Sequence, residues 1–419
     1  MSRSRVVITG IGMVTPLGHD TPSTWASLVE GRSGAGPITQ FDPSSFAVQF
    51  ACEVKDWRAE TYLGGKLCRE LDRFSEFAIV AADEAVRDAG LSITEEREER
   101  AGCIVGTGVG GLATIEFNAR ELESRGVRRM SPYVIPAVSG NLAAGQITIR
   151  HRLRGPSYCT TSACATGAHA VGEAAEWIRR GHADVMVAGA AEAPITRVGM
   201  GGFQAMRALS RRNDAPARAS RPFDVDRDGF VAGEGAAILI LERLEHAHRR
   251  GAKIYGELTG YGASSDAFHI CQPPPTGEGC ARSMKMALSE AKLAPSAVGY
   301  LNAHATSTGI GDVAEANGIR TAFGAAAESL WVSSTKSMTG HTLGAAGAIE
   351  AAISLLALHR GVVPATINVD RVDPAIGLDV VPNAARTKSF DHVMSNAFGF
   401  GGANATLVFS SLRGAMASS

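Results

Sequence analysis

Two short segments of this chain repeat one pattern, and the repeat limits the folds that the chain can adopt. Residues 161–167 read T-S-A-C-A-T-G and residues 334–340 read S-T-K-S-M-T-G. Each segment follows a strand-like run and opens an alanine-rich helical stretch that ends at Arg-Gly and leads to a strand with a Val-Met pair. The order predicts two similar α/β halves, at 1–252 and 253–412, followed by a flexible tail at 413–419.

Short apolar runs alternate with alanine-rich stretches along the rest of the chain. This rhythm is typical of α/β layers with parallel strands. The predicted strands cover residues 6–9, 103–106, 157–160, 185–189, 254–260, 299–303, 331–334 and 393–396. The predicted helices cover residues 73–89, 164–180, 279–292, 311–323 and 343–360.

Composition excludes several classes of protein. The 419 residues are 45% hydrophobic and carry a net charge of −1, which predicts a folded globule and argues against a general binder of nucleic acid or anionic membranes. No apolar stretch reaches the length of about 18 residues that a membrane span needs without a charge or a glycine. The seven cysteines form no C-x-x-C motif, which argues against a zinc site or a disulfide framework and favours a cytoplasmic location.

Cys164 stands where the first repeat passes from a predicted strand into a predicted helix. We expect Thr161 or Ser162 to cap that helix, which would leave Cys164 in its first turn. Unpaired backbone N–H groups and the positive end of the helix dipole favour a thiolate there, and small neighbours leave room for a substrate. Cys164 is therefore a candidate nucleophile, with a buried structural cysteine as the alternative interpretation.

His341 and Lys336 belong to the second repeat, at positions that the symmetry of the two halves would bring close to Cys164. Glu350 follows in a helical stretch that is apolar on every face. A buried carboxylate is costly unless it is paired. We therefore expect Glu350 to meet Lys336, a histidine or a bound cation; the alternative is that this edge of the helix reaches solvent.

Two further segments carry candidate residues after predicted strands. His304 follows the strand at 299–303, and the carboxyl ends of parallel strands are where α/β proteins place functional groups. Thr306 and Thr308 alternate, so that both hydroxyls can face one groove; capping of the next helix is the alternative. The F-G-F-G-G segment at 398–402 can donate backbone N–H groups to an oxyanion and can move, although an ordinary glycine turn would look the same.

Two other sequence patterns bear on alternative chemistries, and neither supports one. The G-T-G-V-G-G segment at 106–111 matches the dinucleotide fingerprint G-x-G-x-x-G after a predicted strand. It is not the first strand, and no acidic residue closes an evident second strand, so an NAD(P)-dependent reductase is disfavoured. No G-x-S-x-G motif occurs, which argues against an α/β-hydrolase.

One cysteine, two histidines, a lysine and a buried glutamate suit thioester acyl transfer followed by carbon–carbon bond formation. With these residues the chain resembles the β-ketoacyl-acyl-carrier-protein synthases, in particular the elongating type II form of bacterial fatty acid synthesis. The resemblance runs from about residue 5 to residue 412. Its motifs are R-G-P-S at 154–157, T-S-A-C-A-T-G at 161–167, R-P-F-D-V-D-R-D-G-F at 221–230, N-A-H-A-T-S-T at 302–308, S-T-K-S-M-T-G-H at 334–341 and N-A-F-G-F-G-G at 396–402. It implies the thiolase fold, with two duplicated α/β halves in αβαβα layers.

The resemblance also implies a role for each candidate. Cys164 would take the acyl chain as a thioester, with its own backbone N–H and that of Phe400 as the oxyanion hole. His304 and His341 would hold the malonyl thioester carbonyl and stabilise the enolate formed on decarboxylation. The resemblance further implies that Lys336 supports the histidines, with Glu350, Asp312 and Glu315 around it, and that Thr306 and Thr308 contact the phosphopantetheine. Phe400 would act as a gate, with Gly399 and Gly401 as substrate-binding glycines. Val109 and Phe203 would line the acyl pocket, which residues 133–138 complete across a dimer.

The partners implied by the resemblance are an acyl carrier protein, which delivers acyl and malonyl groups, and a second copy of the chain. The implied carrier surface is a basic patch of Lys66, Arg69, Arg128, Arg129 and Arg207. No cofactor or catalytic metal is expected, since phosphopantetheine arrives on the carrier, although a structural monovalent cation is compatible with the family. The chain departs from the family pattern at Ala305, where glycine is usual, and at Glu70, where a basic residue is common.

Related enzymes differ at these positions. A degradative thiolase needs a second catalytic cysteine in the last glycine loop, whereas the last cysteine here is Cys280. A chain-initiating ketosynthase pairs its cysteine with His and Asn, and a chain-length factor lacks the nucleophile. A ketosynthase of polyketide or other specialised metabolism remains as the alternative, since it shares the catalytic residues and differs in pocket and carrier surface.

Overall fold

The computed structural model describes residues 4–417. Within this range the chain forms fourteen strands, ten of which belong to one large mixed sheet. The strands are β1 Val6–Val14, β2 Gly36–Pro37, β3 Phe50–Ala51, β4 Ala101–Gly106, β5 Ser157–Tyr158, β6 Val185–Glu192, β7 Gly235–Arg243, β8 Gly256–Ser265, β9 Tyr300–Asn302, β10 Trp331–Ser333, β11 Val362–Val363, β12 Arg386–Thr387, β13 His392–Gly399 and β14 Ala403–Ser410.

Fifteen α-helices lie between these strands within the described range. They are α1 Thr21–Val29, α2 Glu60–Leu63, α3 Gly65–Cys68, α4 Arg73–Asp88, α5 Leu112–Arg125, α6 Val134–Val138, α7 Asn141–His151, α8 Thr166–Arg179, α9 Arg197–Ala205, α10 Leu244–Arg249, α11 Glu278–Ala291, α12 Gly309–Phe323, α13 Lys336–Thr339, α14 Ala346–Arg360 and α15 Leu412–Ala417.

The strand order of the large sheet is itself a repeat. It runs β10-β9-β13-β14-β8-β1-β7-β6-β4-β5, so that the five strands on either side of the β8–β1 contact follow the same order. Strand β1 pairs with β7 along its whole length but meets β8 only at Val7 and Ile8. The sheet is therefore two five-stranded halves joined by a short contact, as the repeat in the sequence predicts.

The halves stack in five layers. Helices α4 and α7 cover the outer face of the N-terminal strands, and α11 covers that of the C-terminal strands with α12 packed against it. Helices α8 and α14 lie between the two inner faces and contact both sets of strands as well as each other. On β6, Val185 and Val187 pack outward while Met186 and Ala188 pack inward, which is the alternation of a sheet buried on both faces.

Helix α14 explains why a stretch of this chain has the length and composition of a membrane span. Residues Leu343–Arg360 reach a mean hydropathy of 1.2, and 89% of the stretch is buried within the fold. Its neighbours are α8 and the strands of both halves. The helix is apolar all round because it is the central layer of the molecule.

Several expectations about the fold are wrong. The sheet is mixed rather than parallel, because β7 and β14, which the sequence analysis did not predict, run antiparallel to their neighbours. Residues 412–417 form α15, which contacts β8 and β14, where a flexible tail was expected; residues 418–419 of that tail lie outside the described range. Helices α1, α5, α7 and α9 were also missed.

We predict that Gly167→Ala destabilises the protein. A methyl group at Gly167 on α8 would lie 2.4 Å from the backbone nitrogen of Ala348 on α14, so the two central helices would have to move apart. Overpacking of this kind costs about 1–3 kcal/mol in the free energy of unfolding. Chemical denaturation monitored by circular dichroism measures it.

The matched control is Gly202→Ala on α9, where the added methyl group meets nothing within 4 Å. Alanine favours a helix over glycine by up to about 1 kcal/mol, so this variant should be as stable as the parent or more so. Equal stability of both variants would show that the central helices are not packed as closely as described.

Candidate active site

A cavity of about 490 Å³ opens between the two halves, and most of the predicted site residues line it. The residues among them that line the cavity are Val109, Cys164, Phe203, His304, Thr306, Thr308, Glu315, His341, Gly399 and Phe400. Three other predicted residues, Lys336, Glu350 and Asp312, are buried in the surrounding protein. Gly401 lies in the same loop, between Phe400 and Gly402, which both line the cavity.

Cys164 sits in a tight turn between β5 and α8. Ala163 adopts a left-handed backbone conformation with a φ of 49°, and the N–H of Ala165 donates to the carbonyl of Ser162 at 3.1 Å. Helix α8 begins only at Thr166, whose hydroxyl accepts the N–H of Ser162 at 2.8 Å. The expected cap by Thr161 or Ser162 is therefore wrong, and Cys164 lies just before the helix rather than in its first turn.

The thiol of Cys164 faces one imidazole and one backbone donor. Sγ lies 3.0 Å from Nε2 of His341, and the backbone N–H of Phe400 also hydrogen-bonds to the sulfur. Burial raises the pKa of Cys164 to about 12, although Lys336 and the Phe400 N–H act in the opposite direction. The resting group is thus a neutral thiol, whose thiolate is stabilised locally by these two donors and by a nearby cation.

His304 and His341 are neutral. Burial, followed by the charge of Lys336, lowers the pKa of both rings well below the usual value. Their ring centroids are 5.4 Å apart at 86°, and neither Nδ1 atom has a hydrogen-bond partner within the described residues. A buried N–H without an acceptor is rarer than a bare acceptor, so the ring protons belong on Nε2. Both rings can therefore donate a hydrogen bond without carrying charge.

The buried cation of the site is Lys336, which forms an ion pair with Glu350. Both side chains are almost fully buried, at 1% and 2% exposure. Burial raises the pKa of Glu350 to about 7, while Lys336 lowers it. Of the partners expected for Glu350, the structure thus shows Lys336. The second carboxylate oxygen of Glu350 has no hydrogen bond among the described residues.

Glu315 fixes the loop that carries His304. Its carboxylate accepts the backbone N–H of His304 at 2.9 Å and that of Ala305 at 2.7 Å. The carbonyl of Ala305 accepts the hydroxyl of Ser334, and its methyl group is buried in the core under α12. The alanine that departs from the family pattern is therefore accommodated with both of its backbone groups hydrogen-bonded.

The next part of that loop carries the two threonines. The hydroxyls of Thr306 and Thr308 lie 3.2 Å apart and both side chains line the cavity. Asp312 accepts the N–H of Thr308, and burial raises its pKa to about 6. Arg227, which the sequence analysis quoted only as part of a motif, donates to the carbonyls of Thr308 and Gly309 at 3.0 Å each.

The glycine segment forms the hairpin between β13 and β14. A methyl group on Gly399 would lie 2.5 Å from the carbonyl of Ser162, so glycine lets this hairpin approach the turn that holds Cys164. The N–H of Gly401 donates to Ile270 and that of Asp266 to Gly402, which joins the hairpin to the loop after β8. Phe400, which lies between Gly399 and Gly401, is 38% exposed.

The segment with the dinucleotide fingerprint binds a carboxylate of this chain. The side chain of Glu192, at the end of β6, accepts the backbone N–H groups of Gly108, Val109 and Gly344. The amides that would hold a pyrophosphate are therefore occupied within the fold, which disfavours the NAD(P) interpretation. Sequence reasoning missed Glu192, whose acidic side chain at the end of an apolar strand was the available signal.

The basic residues expected to bind a carrier are all exposed. Lys66 is on α3, with Arg69 directly after it, and Arg207 follows α9. Arg128 and Arg129 form a short 3-10 turn after α5. Their role stays a prediction.

We predict that alkylation of Cys164 by iodoacetamide accelerates by roughly tenfold per pH unit between pH 6.5 and about 9. Its raised pKa keeps the thiol neutral in this range, so the reactive thiolate fraction grows with pH. Peptide mass mapping separates Cys164 from the partly exposed Cys68, Cys159 and Cys271. A rate that levels off below pH 8 would contradict a neutral resting thiol.

Comparison with known proteins agrees with this geometry. The N-terminal domain of β-ketoacyl synthases matches residues 3–247, and the C-terminal domain matches residues 255–370. The 3-oxoacyl-[acyl-carrier-protein] synthase 2 of Coxiella burnetii is 49% identical over 410 residues, which cover 98% of this chain and 99% of that protein.

Solved structures show the same fold. A β-ketoacyl synthase from Burkholderia phymatum STM815 superposes with a TM-score of 0.91 and 37% identity, covering 98% of this chain and all of that one. A ketosynthase solved in complex with its type II PKS acyl-carrier protein has a TM-score of 0.91 and 33% identity over 98% of this chain and all of that one. The chain belongs to the β-ketoacyl synthase family, and its fold is the thiolase fold.

Proposed function

We propose that this enzyme elongates fatty acyl chains by decarboxylative condensation of an acyl-enzyme thioester with malonyl-acyl-carrier protein. The observation that carries the proposal is the geometry around Cys164: a thiol 3.0 Å from His341, with a second neutral imidazole beside it and a backbone donor at Phe400. This set provides a nucleophile, an oxyanion hole and two uncharged donors for an enolate.

In the first half-reaction, the sulfur of Cys164 attacks the thioester carbonyl of the acyl carrier. The N–H of Phe400, together with that of Cys164 itself, receives the developing oxyanion. The carbon–sulfur bond to phosphopantetheine then breaks, and its thiol leaves with the proton from Cys164. The acyl chain, now a thioester on Cys164, extends into the cavity past Val109 and Phe203, which both line it.

In the second half-reaction, malonyl thioester enters beside Thr306 and Thr308. Loss of carbon dioxide leaves an enolate, whose oxygen accepts hydrogen bonds from Nε2–H of His304 and His341. The enolate carbon attacks the acyl carbonyl, and the Cys164 thiolate leaves and takes up a proton. The products are carbon dioxide and a β-ketoacyl carrier two carbons longer than the acyl donor. Neutral rings suit this step, because an imidazolium would protonate the enolate.

The acyl carrier protein is the partner that this chemistry requires, and the exposed arginines and lysine described above are the proposed docking surface. A homodimer is proposed from the apolar side chains exposed on α5, α6 and α7. Phe117, Ile135 and Ile149 are 60%, 74% and 76% exposed, which is unusual for a free surface. All seven cysteines are free thiols, which supports a cytoplasmic enzyme.

A ketosynthase of specialised metabolism is the second candidate. It is favoured by one observation, the strong likeness of the fold to a ketosynthase bound to a type II PKS acyl-carrier protein. The higher identity to synthases named for fatty acid elongation weighs against it.

We predict that Cys164→Gln abolishes condensation while malonyl decarboxylation survives, because both histidines remain in place. Intact mass after incubation with acyl-carrier thioesters should show an adduct on the parent enzyme and none on the variant. The two-carbon-longer product should then appear only with the parent.

Cys159→Ser is the matched control, since Cys159 lies outside the cavity lining, and it should behave as the parent. Condensation by Cys164→Gln would require another nucleophile and would contradict the mechanism. No adduct on the parent from any fatty acyl carrier, with Cys164 still open to alkylation, would favour the specialised synthase.

We also predict that Arg227→Lys raises the KM for carrier-bound thioesters by roughly tenfold, with a smaller change in kcat. A lysine ammonium cannot reach the Thr308 and Gly309 carbonyls and Asp373 together as the guanidinium does. The threonines would then lose their fixed position, whereas the thiol and histidines would not.

The control for this prediction is Arg218→Lys, which alters an exposed ion pair with Asp370 and should leave both constants unchanged. A fall in kcat with an unchanged KM would contradict the role of Arg227 in positioning the threonines that contact the phosphopantetheine of the carrier.

A further inference from the structure

Glu192 is a buried carboxylate to which the mechanism above gives no part. It ends β6, is fully buried and lies against the cavity. One carboxylate oxygen accepts the hydroxyl of Thr107 at 2.8 Å and the N–H of Val109 at 3.2 Å. The other accepts the N–H of Gly108 at 2.7 Å and that of Gly344 at 3.0 Å. Each oxygen therefore has two donors.

These four donors belong to two loops that come from different halves of the chain. Thr107, Gly108 and Val109 follow β4, and Val109 is the predicted wall of the acyl pocket. Gly344 lies three residues after His341, in the turn that leads into α14. A methyl group on Gly108 or Gly344 would lie 2.6 Å or 2.4 Å from the same oxygen of Glu192, so both loops are held against it.

The loop after β4 is tied to the nucleophile as well. The hydroxyl of Thr161, which lies three residues before Cys164, donates to the carbonyl of Thr107 at 2.9 Å. Glu192 thus fixes the distance between the wall of the acyl pocket, the turn that bears the nucleophile and the turn that follows His341.

We propose that Glu192 is a positioning residue that sets acyl-chain selectivity by holding Val109 in place. The inference rests on the proposed function, because it takes the cavity beside Cys164 to be the acyl pocket. Val109 is held through one backbone hydrogen bond of 3.2 Å, the longest of the four, and the residue is 42% exposed. A small change at Glu192 therefore reaches Val109 first.

The substitution Glu192→Gln tests whether the hydrogen bond between Glu192 and Val109 sets the selectivity, because it removes that bond and keeps the other three contacts. The amide has one oxygen, and its best orientation keeps that oxygen on the Gly108 and Gly344 N–H groups, since an NH₂ there would face two donors. The NH₂ then faces Thr107, whose hydroxyl can accept a hydrogen bond, and Val109, whose N–H cannot. The variant therefore removes one backbone hydrogen bond, that of Val109, and changes the side chain by a single atom type.

The matched control is Glu53→Gln. Glu53 is also buried and accepts two backbone N–H groups and a threonine hydroxyl, from Thr39 and Gln40. It does not line the cavity. Its amide variant can keep both backbone hydrogen bonds with the remaining oxygen and turn the NH₂ toward the hydroxyl.

The experiment measures acylation and condensation by intact mass for acyl-carrier thioesters with short, medium and long chains. In Glu192→Gln, the ratio of kcat/KM between the best and the poorest chain length should fall by roughly three- to tenfold, the effect of one lost hydrogen bond. Glu53→Gln should keep the ratio of the parent. Thermal unfolding and Cys164 alkylation check that each variant is folded.

An equal loss of kcat/KM at every chain length, or an unchanged ratio, would overturn the proposal, because Glu192 would then only support the fold. If Glu192→Gln does not fold, Glu192→Asp keeps the charge but shortens the side chain by one methylene, so that its carboxylate withdraws from the Val109 N–H and the ratio must fall in the same way; an unchanged ratio there also overturns the proposal. A parent enzyme that elongates no chain of the panel contradicts the proposed function itself, an outcome distinct from an unchanged ratio.

Discussion

The close packing of α8 against α14 is the constraint on which the rest of the structure depends. Gly167 and Ala348 bring the two backbones together at the point where both helices begin, so the turns that precede them must meet. Those turns carry Cys164 from one half and the His341 segment from the other. A thiol 3.0 Å from an imidazole 177 residues away in sequence is the direct result of this helix contact.

Burial and one positive charge together set the protonation of the site. Lys336 sits among side chains that burial already keeps neutral, and its charge lowers the pKa of both histidines and counteracts the rise in that of Cys164. An isolated ammonium group in this position would be too costly, and Glu350 makes it tolerable. Burial and the charge of Lys336 thus keep both histidines as uncharged donors, and the same charge eases the formation of a thiolate. Condensation needs both states.

The sequence predicts those parts of the site that depend on the repeat, and misses those that depend on contacts between loops. The alignment of the two halves places His341 and Lys336 beside Cys164 without a structure. It does not reveal the mixed sheet, because β7 and β14, the strands that run antiparallel to their neighbours, were not predicted from the sequence. It places Cys164 inside a helix, since the left-handed conformation of Ala163 that delays the start of the helix is not marked by a glycine. Glu192 is missed for a different reason: its four donors come from two segments, at 107–109 and at Gly344, that meet only in the fold.

The position of Glu192 shows how pocket and chemistry are linked in this architecture. The loop that lines the proposed acyl pocket belongs to the N-terminal half and the histidines belong to the C-terminal half, yet one carboxylate accepts hydrogen bonds from loops of both halves. A substitution that moves the pocket wall by displacing this carboxylate also strains the turn after His341. Side-chain changes at Val109 or Phe203 avoid that strain, because they alter pocket volume without touching the shared anchor. Enzymes with this fold are therefore expected to differ in the acyl-chain length that they prefer through such lining side chains. They are expected to retain the carboxylate that holds the loops together.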